Sequence, residues 1–230
     1  LGDFSLKGTT FLHQDELDLD VFVRSRIGAA KADLKLTNLA NSDAANYKGD
    51  VDFMNFHIGR FLNNPNFGKI TLSTAINGTG FRIDNVNTGV VGVISEMEFN
   101  GYNYSELNLN GLFQNRVFNG NLNVNDPFLK MRFNGLADFS QDINRFDFTA
   151  TILEADLVKT NLFTRDSISK LKGSVEFDII GNTFDDITGK TTFNGIEYTN
   201  QKSIYGFKRF VVVSSVKDNV KTIHVNNNSD

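Results

Sequence analysis

The sequence predicts an all-β protein built from one long antiparallel sheet. Apolar and polar residues alternate with a period of two along most of the 230 residues, and this period places every second side chain on one face of a sheet. The phase of the alternation changes at turns, so successive strands return their apolar side chains to the same face. Only 2 residues are proline, which leaves the ladders of a sheet uninterrupted.

Strands are predicted in order along the N-terminal half. Glu16–Val23 places its leucine and valine side chains on one face and its carboxylates mostly on the other. The segment 38–43 is polar and predicts a loop. At 56–62 the alternation breaks and the apolar residues take a helical spacing, which predicts a short helix. Further strands are predicted over 29–37, 47–53, 69–76 and 90–99.

The C-terminal half has the most regular alternation. Each change of phase falls at a turn, at Asn115 and again at Asp126-Pro127, as expected of an antiparallel meander. The segment 155–162 predicts a second short helix. Strands are predicted over 107–113, 118–124, 129–139, 146–152, 171–179, 187–193, 204–214 and 220–225.

A weak internal repeat relates residues of about 47–104 to residues of about 145–198. Each copy contains a strand, a helical break, a strand that begins with glycine, and a strand that ends in Phe-Asn-Gly. This tripeptide occurs at 99–101, 118–120, 133–135 and 193–195. We expect Asn-Gly to form a turn or a polar edge and Phe to contribute to an apolar floor. A repeating β unit favours one continuous elongated array over residues 1–230.

Composition and charge limit the classes of function. The net charge of −4 and the absence of a basic run argue against a nucleic-acid partner. No stretch reaches the roughly 20 apolar residues of a membrane-spanning helix. The chain has 0 Cys, which excludes disulfides and thiol catalysis. Because it opens on Leu1 without a signal peptide and with an immediate strand pattern, we expect a piece of a longer protein.

The sequence does not indicate a metal site, a cofactor site or an enzyme active site. Its histidines lie in three unrelated segments and lack partners at ligand spacing. The acids at 16, 18 and 20 alternate along a strand, which predicts a solvated face, and Asp185-Asp186 beside glycine predicts a turn. The three histidines are His13, His57 and His224.

The candidate functional residues are therefore apolar. Their alternation predicts one apolar face, which either forms the core of a closed sandwich or barrel or lines a groove that binds an apolar ligand. The chain contains 22 Phe but 5 Tyr and 0 Trp, so these rings lack a polar tip and favour a dry surface. The candidate groove residues are Leu107, Leu109, Phe113, Phe118, Leu122, Val124, Leu129, Met131, Phe133, Phe146, Phe148, Ile152, Val175, Phe177 and Ile179.

Several ordered segments resemble the TamB family of translocation and assembly module proteins, within the wider AsmA-like group. The resemblance is densest from about Gly89 to Asp218. It rests on Phe133-Asn134-Gly135-Leu136-Ala137-Asp138-Phe139-Ser140 after Asn125-Asp126-Pro127, on Glu154-Ala155-Asp156-Leu157, on Arg165-Asp166-Ser167-Ile168-Ser169 and on Gly181-Asn182-Thr183-Phe184-Asp185-Asp186-Ile187-Thr188-Gly189.

The resemblance implies a twisted sheet curled into a U-shaped trough, or β-taco, with an apolar concave face and, here, two short helical inserts. It also implies a periplasmic location in a two-membrane, Gram-negative bacterium, with an N-terminal inner-membrane anchor outside this chain. The implied partners are phospholipid and a TamA-like barrel of the Omp85 superfamily, and the implied roles are lipid transport and outer-membrane biogenesis, including protein assembly and secretion. No catalytic residue comes with the family. The alternative is a scaffold that pairs its edge strand with outer-membrane proteins without conducting lipid.

Overall fold

Strands account for nearly all of the regular structure. The computed structural model describes residues 3–41, 43–62, 65–82, 85–182, 186–217 and 220–227. The elements are β1 (Phe4–His13), β2 (Glu16–Ser25), β3 (Gly28–Thr37), β4 (Asn46–His57), α1 (Ile58–Leu62), β5 (Phe67–Thr79), β6 (Asn87–Phe99), β7 (Tyr102–Gln114), β8 (Val117–Asp126), β9 (Leu129–Asp138), β10 (Arg145–Asp156), β11 (Ser169–Ile180), β12 (Thr188–Asn200), β13 (Ile204–Lys217) and β14 (Val220–Asn227).

The strands form a single antiparallel sheet whose order follows the sequence from β1 to β14, and the sheet is not closed. This confirms the prediction of an all-β antiparallel fold. The chain divides into two compact units, Leu1–Arg116 and Val117–Asp230. Within each unit, substantial contacts between elements join neighbouring strands, or α1 and β5. Among the described residues of a unit, therefore, no second layer packs on its strands.

The β6–β7 turn illustrates how local chemistry sets the strand order. Phe99 and Tyr102 are opposite each other, and Asn100 and Gly101 between them have φ angles of 49° and 73°. Two consecutive residues with positive φ make the two-residue hairpin turn that matches the twist of the strands, and Asn-Gly favours it. Such a short connection leaves β7 no position except beside β6.

The prediction of two helical inserts is wrong. The first segment contains only the five-residue helix α1, and in the second β10 continues to Asp156 and is followed by turns. There Asp156 Oδ1 accepts a hydrogen bond from the Lys159 amide at 3.1 Å. Asn161 has a φ of 58°, a left-handed conformation that an α-helix does not continue through.

A β-bulge lies just before each of these two segments. In β4 the register shifts between Phe53 and Phe56, and in β10 it shifts between Ile152 and Ala155. Each bulge inserts one extra residue, so apolar residues three apart return to the same face. The bulges therefore break the strand alternation where each segment begins. Both bulges fall within the proposed repeat copies, 47–104 and 145–198, and the repeat itself stays a prediction.

The polar side of unit 1 places three aspartates opposite one another. Asp20 pairs with Asp33, and Asp33 pairs with Asp50 on the next strand. One row away, Asp18 is opposite Lys35. Like charges that are directly opposite destabilise a sheet, whereas opposite charges stabilise it.

We expect Asp33→Asn to raise the free energy of unfolding by about 0.5 kcal/mol at low salt, because it removes two like-charge contacts. The gain should shrink as salt is added, since these side chains are exposed. Urea titrations at two salt concentrations measure both effects. The matched control, Asp18→Asn, removes an attraction instead and should lower stability. Equal effects of the two variants would contradict the proposed charge repulsion.

Candidate functional site

Within unit 1, cross-strand pairing aligns the apolar residues into rows. Residues that are opposite each other in an antiparallel pair point to the same side. The row that contains Leu107 crosses seven strands, and each of its members is apolar. Leu109 and Phe113 lie on the same strand at even spacings from Leu107, so all three predicted residues of this unit share one side. The row consists of Leu6, Val23, Ala30, Phe53, Leu72, Ile94 and Leu107.

Within unit 2, the other twelve predicted residues also share one side. Phe118 is opposite Ala137, Ala137 is opposite Phe146, and Phe146 is opposite Ile179. A second row crosses six strands. Two shorter rows lie on the same side. One contains Val124, Met131 and Ile152, and the other contains Phe148 and Phe177. Leu129 also lies on this side. The second row consists of Leu122, Phe133, Ala150, Val175, Phe193 and Phe210.

Phenylalanine rings on this side of unit 2 pack in a ladder across the strands. The Phe148 ring centroid lies 4.7 Å from that of Phe133 and 4.7 Å from that of Phe177. Phe193 and Phe210 stack at 4.3 Å between centroids. Each such pair contributes about 0.5–1.5 kcal/mol beyond simple burial. The ladder therefore fixes the rings as a packed surface without a partner layer.

Glycine makes room for the central ring of the ladder. Gly120 is opposite Gly135, and Gly135 is opposite Phe148. Gly135 has a φ of 145°, and a Cβ added to it would lie 2.4 Å from the Asp147 carbonyl oxygen and 2.5 Å from the Phe148 Cα. Glycine inside a strand is typical of such close approach.

The Phe-Asn-Gly tripeptides serve two purposes. Only the copy at 99–101 forms a turn, and the copies at 118–120, 133–135 and 193–195 lie inside strands. In β8 and β9 the asparagines, Asn119 and Asn134, are exposed on the side opposite the phenylalanines. The expected turn therefore does not apply to the copies at 118–120, 133–135 and 193–195. In the copy at 133–135 the glycine instead accommodates Phe148 on the next strand.

The predicted residues differ in exposure. Five of the fifteen are buried and the other ten are half-buried. In a single sheet, neighbouring side chains cover each other's flanks but leave their tips open, which gives intermediate exposure. The five buried residues are Leu107, Val124, Leu129, Val175 and Ile179.

Several residues of these rows were missed by sequence reasoning. Phe53, Leu72 and Ile94 share a row with Leu107, and Phe193 and Phe210 share one with Phe133. The alternation of their strands contains the signal. The alternation alone did not assign these residues to the apolar side, because a bulge changes the phase between one part of a strand and the next.

A polar cluster lies at one end of unit 2, beside Leu157 and Phe163. The Tyr198 hydroxyl donates a hydrogen bond to Asp166 Oδ2 at 2.8 Å, and Gln201 Nε2 donates to Asp166 Oδ1 at 3.3 Å. These bonds lower the pKa of Asp166 because they stabilise its charged form, and the bond from Tyr198 has the largest effect. Sequence reasoning missed the cluster, since its members come from separate segments.

The remaining polar candidates from the sequence are the three histidines and the acids at 16, 18, 20, 185 and 186. Among the described residues, no group of three or more His, Cys, Asp or Glu side chains could hold a metal ion. Asp186 Oδ1 accepts a hydrogen bond from the Asn182 amide at 2.9 Å, and Asp185 lies outside the described residues. In the part of the chain that the structure describes, no helix has the length and apolar character needed to cross a membrane.

Comparison with known proteins identifies no relative. No family model, no curated protein and no solved structure matches the chain.

We expect Gly135→Ala to destabilise unit 2 by about 1–3 kcal/mol, because the added Cβ overlaps backbone atoms of β10 and the positive φ is strained for alanine. Thermal or urea unfolding measures the loss. The matched control is Gly206→Ala, where no atom lies within 4 Å of the added Cβ. Comparable losses in the two variants would show that crowding next to Phe148 is not the cause.

We expect Tyr198→Phe to raise the pKa of Asp166 towards its ordinary value, because Asp166 loses the hydrogen bond from the Tyr198 hydroxyl, which lowers this pKa most. In the native protein this bond favours folding above the ordinary carboxyl pKa, and its contribution disappears as the pH falls through the lowered one. NMR titration of the side-chain carboxyl carbon measures the shift. Tyr205→Phe is the control, since the Tyr205 ring stacks on Tyr198. An unchanged Asp166 titration in Tyr198→Phe would contradict the assignment.

Proposed function

We propose that this chain is a periplasmic segment that carries phospholipid acyl chains along an apolar groove between two membranes. The observation that supports this proposal most is that the predicted residues share one side within each unit and that ten of the fifteen are half-buried. A surface of this kind needs a cover. In the proposal the sheet curls into a U-shaped trough, the apolar rows form its concave floor, and lipid tails supply the missing layer.

The energetics favour lipid as the cover. An acyl chain gains about 0.8 kcal/mol for each CH₂ group removed from water. The rings and branched side chains of the rows present apolar surface without polar tips, so a tail can lie along them without fixed hydrogen bonds. Strands of ten residues, such as β8 and β9, span about 33 Å. That length allows tails to lie on the floor while headgroups stay at the open edge.

The mechanism is passive, and no residue makes or breaks a bond. Movement requires a floor without deep specific pockets, and the staggered rings of Phe133, Phe148 and Phe177 give a continuous ladder. The glycines at 120 and 135 keep the centre of this ladder free of further side chains. The resemblance to the TamB family supplies the rest of the proposal: an inner-membrane anchor, a TamA-like barrel of the Omp85 superfamily as partner, and a role in outer-membrane biogenesis.

Native mass spectrometry of the full 230-residue chain, purified in mild detergent, tests the proposal directly. We expect phospholipid to remain bound, because the apolar rows stay covered only while it does. Its removal should expose the rows and increase the fluorescence of a hydrophobic dye. A chain that is folded, free of lipid and unable to take up lipid from vesicles would overturn the proposal.

Substitutions on the two sides of β8 and β9 locate the lipid. We expect Phe118→Asp and Phe133→Asp each to reduce bound phospholipid at least tenfold, since a carboxylate on the floor cannot be desolvated beneath a tail. The matched controls are Asn119→Asp and Asn134→Asp, which introduce the same charge on the exposed opposite side. Quantitative lipid extraction and circular dichroism measure binding and folding separately. Equal lipid loss in both sets would place the lipid elsewhere.

A second candidate function is favoured by the edge strand β1. All of its described side chains are exposed, and Phe4 and Leu12 are 68% and 65% exposed. An exposed apolar edge strand can add a strand from another protein by β-augmentation. In this alternative the chain is a scaffold for outer-membrane protein assembly and does not conduct lipid. A lipid-free chain that still forms cross-links from β1 to an unfolded outer-membrane protein would favour it.

A further inference from the structure

The connection between β10 and β11 forms an ordered loop at one end of unit 2. The Leu157 amide donates a hydrogen bond to the Ser169 carbonyl at 2.7 Å, and the Leu162 and Phe163 amides donate to the Leu157 carbonyl at 2.9 and 3.0 Å. Thr160 is fully buried, and its hydroxyl donates to the Asp156 carbonyl at 2.8 Å. The loop is therefore held in one conformation by its own backbone.

This ordered loop presents apolar side chains to solvent. Leu162 and Phe163, at its tip, are 43% and 40% exposed, and Ile168 is also exposed. The neighbouring β8–β9 and β12–β13 turns add the exposed residues Phe128 and Ile204. Alternate turns of an antiparallel sheet lie at the same end of the strands. The three connections thus form one surface, which we call the 157–168 end.

Basic residues surround these apolar side chains. Lys159 and Arg165 flank the tip of the loop and are exposed, as is Lys202 in the β12–β13 turn. The Lys159 ammonium lies 6.0 Å from the Phe128 ring centroid, which places a cation beside an exposed ring. Of the nearby acids, Asp166 accepts hydrogen bonds from the Tyr198 hydroxyl and from Gln201 Nε2.

The charge of the 157–168 end is opposite to that of the whole chain. Its segments 126–130, 154–172 and 197–208 contain seven bases and five acids, and two of the acids, Glu154 and Glu197, are paired with lysines. The described residues of the segments at the other end of the same strands, 138–147, 178–190 and 214–221, contain four bases and five acids. The net charge of the chain is −4, so the basic character is local.

We propose that the 157–168 end of unit 2 docks on the surface of a bilayer that contains anionic lipid. Leu162 and Phe163 enter the interfacial region, and Lys159, Arg165 and Lys202 contact the headgroups. Apolar side chains ringed by exposed cations match the two attractions that hold a protein at an anionic membrane surface. The fixed loop lowers the entropy cost of binding, because its backbone is already ordered. This docking does not depend on the apolar rows.

Vesicle flotation with the full chain tests the docking. We expect binding to vesicles that contain phosphatidylglycerol and about tenfold weaker binding to vesicles of phosphatidylcholine alone, with the difference reduced at high salt. The double variant Lys159→Gln and Arg165→Gln should lose most of this preference. Leu162→Ser with Phe163→Ser should weaken binding to both vesicle types about tenfold, since the inserted apolar area is lost.

The matched control lies at the other end of the same strands. Phe139 and Ile143 are exposed in the β9–β10 connection, beside Asp138 and Asp142. Their double substitution by serine should leave vesicle binding unchanged. Equal binding to both vesicle types, or an equal loss in the control, overturns the docking proposal; selective capture of a soluble protein at Leu162 and Phe163 without vesicle binding does so too. Phospholipid that remains bound in native mass spectrometry while docking fails leaves the lipid-groove proposal standing.

Discussion

The continuous antiparallel register is the constraint on which the other features of this protein depend. Side chains alternate with a period of two, so a slip of one residue in any strand pair would move an entire apolar set to the polar side. The row from Val23 to Leu107 crosses six strands and keeps apolar residues opposite one another at every step. Short turns such as Asn100-Gly101 fix where each pairing begins, and side-chain burial then holds it there.

The β-bulges, where the period of two is interrupted, keep the apolar residues on one side of the sheet. At Phe53 and Phe56, and again at Ile152 and Ala155, a bulge inserts one residue and the apolar phase changes with it. The rings of Phe53 and Phe56 consequently lie 4.8 Å apart, centroid to centroid, on the same side. Without the bulge, the residues after it would turn to the other face. The bulge and the change of phase in the sequence are therefore two aspects of one adaptation.

The same reasoning explains which parts of the structure could be predicted from the sequence. Strand positions, and the common side of the predicted residues within each unit, follow from alternation, which is a local signal. The second helical insert was predicted wrongly because residues 157–161 form turns. One of their hydrogen bonds, from the Thr160 amide to the Asp156 carbonyl at 3.1 Å, has helical spacing, but the left-handed φ of Asn161 stops a helix there. The glycines at 120 and 135 were expected in turns or at a polar edge, because the local pattern does not show that Gly135 is opposite Phe148 in another strand. The Asp166 cluster joins residues 32 positions apart, and no local pattern encodes that contact.

Half-burial of the rows distinguishes this open sheet from the core of a sandwich. In a sandwich, the side chains of a second sheet would cover Phe133, Phe148 and Phe177, and their burial would stabilise the fold. Here the flanks of the rings are packed by their neighbours within the sheet, which fixes their geometry. Their tips remain available in each unit, because the substantial contacts between described elements join neighbours in the sheet. Under the lipid-groove proposal, folding and ligand binding use different parts of the same side chains, so a ligand can leave without unfolding the protein.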